Sequence, residues 1–389
     1  MGGVWSPSPD RHHLNHGSWG AVPLVIQEKQ TEWRRRWEAN TTAFILQEFP
    51  EALESSRKAL AGFLTAQIEG LAFTRNATSG IASAVRSIES RLGPGDEIVT
   101  TTHDYNAVRQ TIEFSAARCG ARVVVAQVPF PIEHPGVVTG AVLDAVTDRT
   151  KLAVVDHITS PTGVIYPVED IVTALEPDVP VLVDGAHGPG QVPLDLSRLG
   201  ASWYAGNLHK WVCAPKGSAF LHTRSDRLAD THPVVISHAW NSPKSDPADR
   251  YQALFGWVGT DDVTSWLVIP DLLELLESLE PGGWPALMAR NHRLALQARE
   301  VLSNALGVEA PAPEVMVGAM AALPLPDASG KDPGGLDSAL TNQLIDSGFE
   351  AIVMHWPKWP RQVLRVSAHH YNTLDEYEAL ARLLTQMLG

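Results

Sequence analysis

The strongest constraint on this chain is a rhythm between residues 71 and 223. Short apolar runs at 71–74, 97–102, 122–128, 151–157, 179–184 and 218–223 read as strands. Helix-patterned segments at 81–92, 107–119, 143–147 and 168–175 separate most of them. Strands that alternate with helices pack as a mainly parallel, doubly wound sheet. Runs such as Leu152–Val155 and Val181–Val183 show no polar alternation, the mark of strands covered on both faces. The expected fold is therefore α/β.

The flanks read differently. Residues 1–20 have little apolar periodicity and suggest an arm. Residues 22–64 look helical, with Trp33, Trp37 and Phe44 on one face and Arg34, Arg35 and Arg36 solvated. A polar connection spans 224–255. Beyond it the pattern predicts helices at 261–279, 286–306, 336–347 and 374–388 and short strands near 315–323 and 351–354, with an exposed Gly/Pro-rich loop at 324–335. This C-terminal part reads as a smaller α+β domain. The expected organisation is an arm lining the site (1–20), a large domain (21–255) and a small domain (256–389), reasonable for 389 residues.

Several functions are disfavoured. With 30 basic against 44 acidic residues the net charge is −14, which opposes binding to nucleic acid. Cys119 and Cys213 alone make neither a disulfide framework nor a cysteine-based zinc site. His12, His13 and His16 lack the accompanying ligands of a metal site, so no metal is expected. No run approaches the roughly 18 apolar residues of a membrane span, and the first residues lack signal-peptide regions; the expectation is a cytoplasmic protein. A Walker A loop, a G-x-S-x-G elbow and a dinucleotide G-x-G-x-x-G are all missing.

Four places at predicted strand ends concentrate chemistry, where open α/β sheets bind ligands. Asp184 ends an apolar strand in Val181-Leu-Val-Asp184-Gly-Ala-His187; a buried carboxylate there needs a partner, either structural or a protonated ring nitrogen. Lys210 follows on a turn among Leu208, Trp211 and Val212, where a desolvated amine becomes a nucleophile; its plain reading is a snorkelling surface lysine. Thr74–Gly80 leads into a helix whose free N–H groups suit a phosphate or ordinary N-capping. His103-Asp-Tyr105-Asn follows a strand and offers an aromatic ring to stack on a flat cofactor, or a partly buried tyrosine at a helix start. Together these supply a phosphate anchor, a stacking ring, an acid for a pyridine nitrogen and an amine for an imine. Those are the partners pyridoxal 5′-phosphate (PLP) needs.

The order and wording of these motifs also resemble class V aminotransferase-like PLP enzymes of fold type I, most of all the isopenicillin N epimerase-like branch, which includes C–S lyases. The resemblance runs from Leu14-Asn-His-Gly-Ser-Trp-Gly20 to Arg365-Val-Ser-Ala-His369 and is most specific at Asp184-Gly-Ala-His-Gly-Pro-Gly-Gln191 and His209–Lys210–Trp211. It implies that Lys210 forms the Schiff base, that Asp184 keeps the pyridine nitrogen protonated, and that His187 lies by the phenolic oxygen, as Ser160 would. Thr78, Asn207, His209 and the N–H of Ala77 would hold the phosphate. Tyr105 would stack on the ring, with His103 as rival. Thr260 would reach the phosphate in a neighbouring subunit of a homodimer with composite sites. Arg365 would pair with the substrate carboxylate, and Asn15 and His16 would line the pocket.

Two departures stand out: Asn207 replaces a small hydroxyl residue, and Ser160 replaces an amide. Residues 324–360 hold no cysteine, which argues against a desulfurase. The implied activity is C–S β-elimination from an S-substituted cysteine-like amino acid. The alternatives are epimerisation at Cα, decarboxylation-linked deamination and, more remotely, a non-catalytic PLP-binding protein.

Overall fold

A computed structural model describes residues 4–331 and 338–388. At its centre lies a seven-stranded sheet of β1 (Leu71–Thr74), β2 (Glu97–Thr101), β3 (Arg122–Ala126), β4 (Thr150–Asp156), β5 (Val181–Gly185), β6 (Trp203–Asn207) and β7 (Ala219–Thr223). The spatial order is β1-β7-β6-β5-β4-β2-β3. From β6 to β3 all pairings are parallel, and β7 runs antiparallel to both β6 and β1. The α/β fold, with a mainly parallel sheet, is as the sequence predicts.

Both sheet faces are covered, for the reason the strand composition suggests. Val181 and Val183 of β5 belong to one apolar cluster and the intervening Leu182 to another, because successive strand side chains alternate between faces. Helix α3 (Ala77–Ser87) and helix α4 (Asn106–Cys119) contribute Ile81, Val85, Val108 and Ile112 to the Leu182 side. On the opposite side pack α1 (Leu24–Ala39) and α2 (Phe49–Leu64), through Ile26, Leu60 and Leu64. Trp37 stacks on Phe44 at 5.5 Å, while Arg34 and Arg36 pair with Asp262 and Glu48 at the surface.

A second, antiparallel sheet contains β8 (Met320–Leu325), β9 (Ile352–His355) and β10 (Gln362–Ser367), in the order β9-β10-β8. Helices α5 (Gly283–Leu306) and α6 (Leu374–Leu388) close it into a core of its own, which Leu14 from the arm also enters. The arm ties the two sheets together. His12 and His13 pair with Phe349 and Glu350, the Leu14 carbonyl accepts from the Ser367 N–H, and the Gly20 N–H donates to the His209 carbonyl. A side chain at residue 20 would collide with the Lys210 carbonyl, so only glycine permits that approach.

Several sequence boundaries shift. Strand β6 goes unpredicted because Trp203-Tyr-Ala-Gly-Asn207 lacks an aliphatic run, yet every residue of it is buried. The helix predicted at 143–147 is the tail of one spanning Pro135–Asp144, begun by a proline at its first turn. The polar connection holds a helix, Pro247–Gly256, capped by Asp246. The 261–279 helix divides into Thr264–Leu267 and Ile269–Glu277, the second opening with Pro270. The expected strand at 315–323 begins instead with a 3₁₀ turn, Glu314–Met316. The 324–335 loop and the start of the 336–347 helix fall partly outside the described residues; the described helix is Ala339–Asp346.

Leu182 is fully buried at the centre of β5, so Leu182→Ala should cost about 2–5 kcal/mol. A lowered urea midpoint at unchanged slope is the expected result.

Candidate active site

Parallel strands β4, β5 and β6 end on one edge and deliver Asp156, Asp184 and Asn207 there. Asp184 is 3 % exposed. Its Oδ1 accepts from the Ala186 N–H at 2.9 Å. Burial raises its pKa, against the opposing pull of that N–H and of Lys210. Gly185 follows because any side chain there would strike the Tyr204 ring.

Lys210 lies on the turn after β6. Its Nζ is 3.0 Å from His187 Nε2. The Trp211 indole N–H donates to His187 Nδ1 at 3.4 Å, which leaves the imidazole proton on Nε2, facing the amine. Burial, followed by the Lys210 and Arg365 charges, holds His187 neutral by pushing its pKa well below the usual range. The lysine answers in kind: burial and then Arg365 lower its pKa to about 7, outweighing Asp184 and Asp156. A neutral amine accepting from His187 Nε2–H is thus the favoured arrangement above that pH.

At the other end of the pocket α3 begins with Asn76, whose side chain accepts from the Ser79 N–H. The next amide, Ala77 N–H, donates to Asn207 Oδ1 at 2.8 Å. Here Asn207 does what a shorter hydroxyl residue would not: it fastens the helix start to β6. The Ala77 N–H is therefore engaged. Thr78 is half-buried one residue on. His209 bonds the Ser218 carbonyl through Nδ1 at 3.1 Å, and burial lowers its pKa to about 4.

Arg365, in the middle of β10, is 2 % exposed. Its Nη1 donates to the Ser160 carbonyl at 2.6 Å and approaches Ser160 Oγ at 3.4 Å; its Nη2 reaches Ser18 Oγ at 2.6 Å and Asn15 Oδ1 at 3.1 Å. All of these acceptors are neutral, and Nε has no partner. Among the described residues no carboxylate pairs with it, and burial lowers its pKa to about 10. A buried guanidinium without an anion is costly to maintain, which makes Arg365 the candidate receptor for one.

The structure separates the remaining candidates. His103 is fully buried, with Nδ1 on Thr162 Oγ1 (2.8 Å), Nε2 on the Val128 carbonyl (3.2 Å) and its ring 4.5 Å from that of Trp356. Tyr105, immediately before α4, is 43 % exposed. His16 is fully buried behind the Lys210 turn. Its Nδ1 meets Tyr371 Oη at 2.7 Å and its Nε2 the Lys210 carbonyl at 3.1 Å; burial lowers its pKa to about 3. Cys213 and His369 lie beside it. The His16 and His369 rings stack in parallel at 3.9 Å, so their in-plane lone pairs do not converge on one ion. Thr260 is exposed on the loop after Gly259, next to Asp261, which pairs with Arg75 at 2.6 Å.

Sequence reading missed Asp156 and Ser18. Asp156 carried a signal, since Leu152-Ala-Val-Val-Asp156 repeats the pattern of Val181-Leu-Val-Asp184.

An unpaired buried cation, a buried acid at a strand end and a buried amine near neutrality fit PLP and the carboxylate of an amino acid. The fold and the site thus define a PLP-dependent enzyme of fold type I. The aminotransferase class-V family model matches residues 21–380, and the chain belongs to that family. It is 32 % identical over 391 residues to isopenicillin N epimerase of Streptomyces clavuligerus, covering 97 % of this chain and 95 % of that protein. It is also 32 % identical over 333 residues to a putative L-cysteine desulfhydrase of Oryza sativa subsp. japonica, covering 82 % and 67 %. Among solved structures, the cystine C–S lyase C-DES superimposes with a TM-score of 0.78 at 20 % identity, over 97 % of this chain and 98 % of that one.

The lowered pKa of Lys210 has a direct test on the cofactor-free protein. Only the neutral amine adds to an aldehyde. The rate of PLP attachment should rise about tenfold per unit as pH increases towards about 7 and level off above it, followed by absorbance in stopped flow. An unshifted lysine would keep rising to about pH 10.

Proposed function

We propose that this protein is a C–S lyase that eliminates the sulfur substituent from Cβ of an S-substituted cysteine-like amino acid. One observation carries the reading: the site offers a single well-placed base. Lys210 Nζ is oriented by His187, whereas His16, the other histidine of the expected pocket, is locked between Tyr371 and the Lys210 carbonyl. Elimination needs one base and a leaving group.

Asp184 and Lys210 would hold PLP, Asp184 at the ring nitrogen and Lys210 through its amine. Tyr105 would cover the ring, His187 and Ser160 would lie towards its phenolic oxygen, and Thr78, His209 and Asn207 would hold the phosphate. The Ala77 N–H joins them only where Asn207 releases it. When bound, the cofactor supplies a protonated ring that draws electrons from the substrate Cα. Arg365 binds the substrate carboxylate as a fork, with Asn15 and Ser18 keeping the guanidinium aimed. Lys210 Nζ takes the Cα proton. The Cβ–S bond breaks and the sulfur leaves as thiolate; hydrolysis of the remainder gives a keto acid and ammonia. His187 holds the amine in place between proton transfers.

The nearly full-length match to an epimerase favours a second reading, inversion at Cα. It requires an acid on the opposite face, and Tyr105 is the exposed group available. Incubation with S-substituted cysteines in D₂O separates the two. The lyase reading expects keto acid and free thiol in equal amounts. Recovered substrate of inverted configuration, deuterated at Cα with no keto acid, would replace it with the epimerase.

The site is composite in this reading. Thr260 is exposed on its loop, and the exposed apolar side chains of Val235, Ile236 and Trp240 are the kind a second copy of the chain would cover. Mixing Lys210→Ala with Thr260→Ala subunits should restore activity in verified heterodimers. Failure to do so would remove Thr260 from the site.

Arg365→Lys should raise KM by roughly ten- to hundred-fold, since one bidentate charged contact is lost. The spectrum of bound cofactor should be unchanged.

A further inference from the structure

The mechanism uses Asp184 but leaves a second buried acid beside it unexplained. Asp156 ends β4 as Asp184 ends β5, and the two are register partners in a parallel pair. Neighbouring strands lie about 4.8 Å apart, and register partners point to the same face. Two carboxylates thus sit side by side at the strand ends, each 3 % exposed.

The groups facing Asp156 do not supply a counter-charge. From the β2 side comes Asp104, itself an acid, whose charge is taken by Arg109 at 2.7 Å. From the loop after β4 comes Tyr166, a buried phenol with an unpartnered hydroxyl. The neighbouring His157 turns its Nδ1 to Tyr204 Oη at 2.9 Å and is kept neutral by burial. From the turn after β6 comes Lys210, the last of the influences on Asp156, and burial and Arg365 lower its own pKa to about 7, so that above that pH it is mostly a neutral amine. Like charges at this spacing in a dry site do not both ionise.

We propose that Asp156 is a positioning residue that shares a single proton with Asp184, so that the pair presents one negative charge to the cofactor's ring nitrogen. On folding, the pair takes up one proton from solvent. The neutral acid at Asp156 leaves Asp184 as the one anion at the nitrogen and removes the repulsion that would otherwise drive the two strand ends apart. Burial and the neighbouring Asp184 raise the pKa of Asp156 well above the carboxylate range, as this arrangement requires. The proton count concerns the protein alone. The role at the nitrogen rests on the proposed function, and the tests of the two are separate.

The test uses the full chain without cofactor. A carboxyl pair that keeps a proton in the folded state and loses it in the unfolded one destabilises the fold as pH rises above about 4 and until the folded pair itself ionises. Between pH 7 and 8.5 the unfolding equilibrium constant of the wild type, from urea titrations, should therefore climb about tenfold per pH unit relative to Asp156→Asn. The buried histidines contribute equally to both proteins and cancel; Lys210, whose pKa Asp156 helps to hold up, is taken out of the comparison by carrying Lys210→Met in both proteins. Asp184→Asn should flatten the curve in the same way, and serves should Asp156→Asn not fold. The wild type should also release one proton more on unfolding at pH 7.5 than Asp156→Asn does, measured in weakly buffered solution. Curves that run parallel, offset by a constant, would assign Asp156 a merely structural role and overturn the proposal. The lyase assay is unaffected by either result.

Discussion

The site is organised around buried charges whose partners the protein withholds. Arg365 is fully enclosed yet meets only neutral oxygens. Asp184 is enclosed with a single backbone N–H. Lys210 is set against a histidine that does not ionise. Each arrangement costs free energy, and in the proposed function each would be relieved by one part of the same ligand pair: a carboxylate, a protonated ring nitrogen and an aldehyde carbon. Burying the groups is what makes them selective, since water is no longer there to substitute for the ligand.

Holding such groups still requires a rigid frame. The parallel sheet supplies it, because strand ends are fixed by pairing on both sides and by apolar clusters above and below. Asn207 adds a strut between β6 and the first turn of α3. Arg365 comes from a different sheet with its own core, and it is the arm, through Asn15 and Ser18, that brings it into register with the rest.

Much of this was legible in the sequence, for identifiable reasons. The strand–helix rhythm betrayed the sheet because buried parallel strands must be continuously apolar; Asp184 stood out as the polar end of such a run, and Lys210 as a lone amine on a turn among Leu208, Trp211 and Val212. Strand β6 escaped because its residues are fixed by packing across strands, Tyr204 stacking on Phe220 of β7 and Gly206 leaving room for that same ring, which linear periodicity does not register. Asp156 carried the same signature as Asp184, but its significance lies in the pairing register between strands, which only the fold supplies. The choice between His103 and Tyr105 was likewise hidden. Both lie in the same four-residue turn, and only the nest of Phe130, Tyr166 and Trp356 around His103 distinguishes them.

The arm that runs from the small sheet to the lysine turn has a thermodynamic consequence. Within a few residues it contacts Arg365 through Asn15 and Ser18 and the His209 carbonyl through Gly20. Arg365, proposed to receive the substrate carboxylate, and the turn that carries Lys210, proposed to hold the cofactor, therefore hang on one short strip of backbone. Linkage is reciprocal: any tightening that substrate imposes on cofactor through that strip is returned to substrate by the cofactor in equal measure. A change at residues 15–20 that loosens one affinity should thus be read as a change in both, and the strip is better regarded as a coupling element than as a lid.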